Sequence, residues 1–227
     1  MSNAGRPTNP LDQLYDIVND LWGASQPAAA PAGTAPGETG RPAPAGAAPE
    51  KPRGFQQAFP PFEHFWRTAD ETVDWTEALA YSSPQDGITS PALWAFFHEH
   101  AEQVLAGNVA AYVEVLQQAN PLGDLAPYAS AFNVRAESAD RLTVSFEGLE
   151  QYLNAGDAER RRYLAGISLR CARDLMALLP VCETAVTARR DGEQLLEVTF
   201  TRQELQKVRF SVVDPVAFVE RCGGVFA

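Results

Sequence analysis

Apolar residues recur near the start of the chain as Leu11, Leu14, Tyr15, Val18, Leu21 and Trp22, the spacing of one helical face. Asp12, Gln13, Asp16, Asn19 and Asp20 fall on the opposite face. Asn9 suits the cap, Pro10 the first position, and Gly23 the end of such a helix. A helix of about 13 residues is marginal alone in water, so the stripe predicts a surface for it to lie against.

The pattern then stops. From Ala24 to Arg53, 21 of 30 residues are Ala, Pro or Gly. Such a segment buries too little apolar area to offset its ordering entropy, and a disordered linker is expected. As a flexible chain it would span about 30 Å.

Aromatic residues open the remainder: Phe55, Phe59, Phe62, Phe65, Trp66 and Trp75, with a short helix expected from Pro61 to about Leu79. Residues 81–90 read as a loop. Ser90 and Pro91 start a helix whose apolar face is Leu93, Trp94, Phe97, Ala101, Val104 and Leu105. Gly107 ends it, and Asn108 caps a second helix carrying Val109, Tyr112, Val113, Leu116 and Ala119, which together make a helical hairpin.

Beyond Asn120-Pro121 the period changes to two. Leu142, Val144 and Phe146 alternate with Thr143 and Ser145, which predicts a strand over 141–147. Asp157 is the expected cap of a long helix with core positions Leu164, Ile167, Cys171, Leu175 and Leu178, stopped by Pro180. Thr184, Val186 and Ala188, the turn Asp191-Gly192, and Leu196, Val198 and Phe200 predict a hairpin. A further strand is expected through Val208 and Phe210, and a last helix from Asp214-Pro215 through Phe218 and Val219. The fold class is α+β: a helical region, then a two-layer domain of antiparallel sheet under one long covering helix. The expected division is 1–23 amphipathic helix, 24–53 linker, 54–122 helical region and 123–227 α+β domain.

The run Ile167 to Val181, the strand ending Leu196-Glu197-Val198-Thr199-Phe200, Val213-Asp214-Pro215 and Asn120-Pro121-Leu122 resemble a domain of hypothetical bacterial proteins. The resemblance spans about residues 108–223. It implies a bacterial source and one unit joining the second hairpin helix to the sheet, and it carries no activity.

Charge changes the picture in one respect. The net charge is −11, and all of it lies in residues 1–140, with 6 basic and 17 acidic side chains; residues 141–227 carry 12 of each. This disfavours non-specific binding to nucleic acid or anionic membrane. Three cysteines at wide spacing (Cys171, Cys182, Cys222), no secretory signal and no 18-residue apolar run point to a reducing cytoplasm with buried free thiols.

Candidate chemistry is sparse. His98-Glu99-His100, with Glu102 and His64, hints at metal, but His98 and His100 lie about 200° apart on a helix and point to opposite sides. Cys171 is flanked by Arg170 and Arg173, which the helix pattern places off the apolar stripe, and a core cysteine is the favoured reading. Arg160-Arg161-Arg162, joined by Arg170, Arg173, Arg189 and Arg190, fits either a phosphate site or a solvated face. No catalytic residue, no cofactor and no metal site is assigned. The expectation is a non-enzymatic interaction or adaptor protein, with Leu11, Leu14, Tyr15, Val18, Leu21 and Trp22 meeting a protein partner or docking on the chain itself. The alternative is an enzyme or small-ligand protein with a site between the helical region and the sheet.

Overall fold

The computed structural model describes residues 65–84 and 89–227. The expected helix 9–22, the linker 24–53 and His64 lie outside the described residues.

A 3-10 turn (Phe65–Arg67) leads to α1 (Trp75–Ala80), whose first turn is capped by Asp74, with its carboxylate accepting from Thr76 and Glu77 N–H. The hairpin is present as α2 (Pro91–Leu105) and α3 (Val109–Ala119). Ser90 Oγ accepts from Leu93 N–H and Asn108 Oδ1 from Ala110 N–H, and Gly107 between them takes φ +73°, which glycine adopts at no steric cost. Leu93, Trp94, Phe97, Ala101 and Val104 are buried as the pattern requires, but Leu105 turns outward. The helix expected from Pro61 is confined, among the described residues, to Trp75–Ala80.

The sheet runs β1 (Ala129–Ala136), β2 (Arg141–Gly148), β3 (Glu183–Arg190), β4 (Glu193–Thr201) and β5 (Val225–Phe226), in that spatial order. It is mostly antiparallel, and the fold is α+β. One pair departs from the expected antiparallel sheet: β2 and β3 are parallel, with Val144 opposite Val186. The cause is the covering helix. Between the short α4 (Glu150–Leu153) and β3 runs α5 (Asp157–Leu178), whose 22 residues extend about 33 Å and carry the chain back to the end where β2 began.

Four further departures are smaller. β1 was not expected, because Ala-Ser-Ala-Phe-Asn-Val-Arg-Ala lacks clean alternation; its register shifts between Ser130 and Asn133, with Ala131 at φ +49°. The strand expected at Val208 and Phe210 is a turn following α6 (Arg202–Gln206). The expected cap Asp157 is the first residue of α5, and Gly156 holds the cap position. After α7 (Pro215–Arg221), Val225–Phe226 pairs with β4 as β5, a strand the pattern did not predict.

Leu142, Val144, Phe146, Val186, Ala188, Val198 and Phe200 are buried on the sheet, and α5 packs across β3 and β4 with Ile167, Cys171, Leu175 and Leu178 buried. Each fully buried Leu, Val or Phe there contributes about 1.5–3 kcal/mol. Asp191 and Gly192 both take positive φ (49° and 82°), the backbone of the expected Asp-Gly hairpin turn.

Candidate functional site

α5 carries a second packed stripe opposite its sheet-facing one. Gly166, Arg170, Asp174 and Ala177, all buried, and the half-buried Arg173 recur at helical spacing, and the segment from Phe65 to Trp75 runs along them like a strap. Gly166 is where the aromatic end rests: an added Cβ would come within 2.8 Å of the Phe65 ring and 2.9 Å of the Trp66 ring.

Arg170 is the centre of the contact and is fully buried. Its Nε donates to Asp174 Oδ2 (2.5 Å), its Nη2 to Asp124 Oδ2 (2.7 Å), and its Nη1 to Thr68 Oγ1 (2.6 Å) and Phe65 O (3.2 Å). Asp70 Oδ1 stands 3.7 Å from Nη2. One guanidinium therefore ties together the strap, α5 and the turn Gly123–Leu125. Arg173 extends the same seam, with Nη1 donating to Trp66 O (2.7 Å) and Thr68 O (2.9 Å), while its guanidinium lies 3.6 Å over the Phe210 ring. Both arginines lie off the apolar stripe that carries Cys171, as expected, but their own face is packed too: a long helix covered on two sides has little solvated surface, and Arg170 is buried among charged partners.

The strap also completes the end of α5. A helix leaves its last carbonyls without intrahelical donors. Here Leu175 O accepts from Leu179 N–H, Ala177 O from Val73 N–H (2.9 Å), Leu178 O from Trp75 Nε1 (2.7 Å), and Met176 O from Arg202 Nη2 (2.7 Å). Arg202 also reaches Val181 O and Leu179 O, placing a cation at the negative end of the helix dipole. Its own position at the first turn of α6 is fixed by Thr201 and Glu204, which form a capping box.

Electrostatics follow from this burial. Burial raises the Asp174 carboxyl, Arg170 pulls it down and nearby Asp124 raises it again; burial prevails and the group is pushed up to about 7. Burial lowers Arg170, but Asp174, Asp124 and Asp70 together outweigh it and hold the cation above its usual value. Burial lowers Arg173 to about 10. Burial pushes the Cys171 thiol well up, and carries Cys222 up to about 11.

The other sequence candidates fall apart in space. His98 Nδ1 donates to Ala78 O (2.7 Å), whereas His100 Nε2 faces Glu114 Oε2 (2.8 Å) and its ring stacks on Phe96. Among the described residues, no three His, Cys, Asp or Glu side chains gather in a way that could hold a metal ion. Cys171 is a core residue, but Cys182 is exposed and Cys222 half-buried, contrary to the expectation of three buried thiols. The run Arg160-Arg161-Arg162 is dispersed: Arg160 pairs with Asp157 (2.7 Å), Arg161 with Glu220 (2.6 Å), and Arg162 lies over Trp66. Leu11, Leu14, Tyr15, Val18, Leu21 and Trp22 lie outside the described residues.

Two pockets open near α5. One, of about 220 Å³, is lined by Asp157, Arg160, Arg161, Leu164, Leu195 and Phe226. The other, of about 210 Å³, lies beside the strap, with Arg173, Met176, Arg202, Leu205 and Phe210 in its wall. Among the described residues no helix is long and apolar enough to cross a membrane. Comparison with protein-family models, curated proteins and solved structures returned no match.

Proposed function

We propose that this protein acts by interaction rather than catalysis: a cytoplasmic adaptor whose folded body carries residues 9–22 as a tethered docking motif. The observation that supports this most is the strap. Phe65–Trp75, the first segment the structure describes, is fixed to α5 by charge-assisted hydrogen bonds that Arg170 and Arg173 donate and Asp174 accepts. A tethered motif transmits a partner's hold best where the chain near it is fixed, and Phe65–Trp75 is the described segment nearest to it in sequence. The fully buried Arg170 and Asp174 serve this anchoring, and the amphipathic stripe supplies the contact surface. Its acidic face, with Asp12, Asp16 and Asp20, favours a protein groove over an anionic lipid surface.

Affinity capture with the full chain and with a chain lacking residues 1–23 tests the reading. Partners retained by the full chain should be lost from the shortened one. Equal recovery by both would move the interaction surface to the folded body.

A further inference from the structure

Arg173 and Arg202 share the wall of the 210 Å³ pocket, and their bonding is unusual for a chain of net charge −11. Arg173 uses only Nη1, on two carbonyls, and its Nε and Nη2 bond to no described residue. Arg202 uses Nε and Nη2, on three carbonyls, and its Nη1 bonds to no described residue. Among the described residues neither guanidinium pairs with a carboxylate within 4 Å, whereas in the other pocket Arg160 and Arg161 both do. Asp70, which also lines the pocket, is itself buried against Arg170. Two half-buried cations thus face one cavity held by neutral oxygens alone.

The open edge of Arg173 is its side-on fork, Nε with Nη2, which matches the two oxygens of a carboxylate. Phe210 lies against the flat face of the same guanidinium, so the plane of the fork is fixed before anything binds. The rest of the lining combines apolar Met176, Ala177, Leu205 and the Phe210 ring with the polar Thr72 and Gln206. Drug-sized ligands occupy about 300–1,000 Å³, so this volume suits something smaller, on the scale of one ring with its acid group. The apolar stretch of Met176, Leu205 and Phe210 also disfavours a small, doubly charged, fully polar anion, which would lose its hydration along that side with nothing to replace it. We propose that this pocket binds a small organic monocarboxylate, with its acid group on Arg173 and Arg202 and its hydrocarbon part against Met176, Leu205 and Phe210.

The chain offers its own reporter, since Met176 is one of two methionines and the other is Met1. Full-length protein with 13C-labelled methionine methyls would be titrated separately with sodium benzoate, benzamide and inorganic phosphate. Benzoate should shift the Met176 methyl saturably and leave Met1 unmoved. Benzamide, which has the same shape without the charge, should bind about tenfold or more weakly, the usual worth of a charge-assisted bond. Phe210→Ala, which touches none of the bonds that fix the strap, should weaken benzoate severalfold, and Arg173→Lys should weaken it while keeping the charge. No Met176 shift with benzoate, equal binding of benzamide, or phosphate binding as tightly as benzoate would each overturn the proposal.

Discussion

Asp174 lies one turn beyond Arg170 on α5 and accepts its Nε–H at 2.5 Å, with both side chains fully buried. The spacing is an ordinary i,i+4 pair, but here it sits inside the protein, with Asp124 and Asp70 on the same cation. Burial of the carboxyl, with the Asp124 charge beside it, outweighs the pull of Arg170, which is why Asp174 holds a proton more tightly folded than unfolded.

That difference links stability to pH with a definite sign. An unfolded aspartate titrates near 3.9, and folded Asp174 is pushed up to about 7. Between those values the folded state binds more protons, so this group's contribution is complete below about pH 4 and is lost as pH rises through about 7. Urea midpoints of the wild type and Asp174→Asn, compared at pH 5 and pH 8, should differ in slope, with the wild type losing more on going to pH 8. Parallel slopes would refute the assignment.

Removing the cation should cost more than removing one carboxylate. Arg170→Met leaves Asp70, Asp124 and Asp174 facing one another in a buried site. Loss of one member of a buried ion pair costs about 3–5 kcal/mol, and a comparable fall in unfolding free energy is expected by urea titration.

Gly166→Ala sets two effects against each other. Alanine favours a helix interior over glycine by about 1 kcal/mol. Against that, the new methyl would meet the Phe65 and Trp66 rings at 2.8 and 2.9 Å, and both residues are rigid and buried. Overpacking of this kind costs about 1–3 kcal/mol. The expected outcome is net destabilisation with loosening of the strap, seen as faster amide exchange at Asp70 and Val73.

The cysteines should label in a fixed order. Cys182 is exposed, Cys222 is half-buried with its thiol raised to about 11, and Cys171 is sealed in the core. A thiol reagent at pH 8, followed by mass mapping, should modify Cys182 first and Cys171 only on unfolding.

Much of this fold was legible in the chain. The Ser90 and Asn108 caps, the Asp191-Gly192 turn and the alternation of Leu142, Val144 and Phe146 each have a local cause, and each recurs in the structure. What escaped notice depends on long-range pairing. β1 is held by its neighbour β2 rather than by its own pattern, and β5 is two residues long. The site was harder still. Gly166, Arg170, Arg173, Asp174 and Ala177 repeat at helical spacing as regularly as the apolar stripe does. Because the period was carried by polar residues, it reads as a solvated face. A charged stripe on a helix whose other side is already core is the signal that would have revealed it.

The central claim is that residues 9–22 recruit a protein through their apolar face. The direct measurement is capture by the full-length protein carrying Leu14→Asp and Trp22→Asp together, with the thermal midpoint of the same sample as a control. Both positions lie outside the described residues, and the account expects the unfolding transition of the body to be unaltered. The account predicts that partners bound by the wild type are lost from the double variant. Recovery of the same partners at equal strength would contradict it.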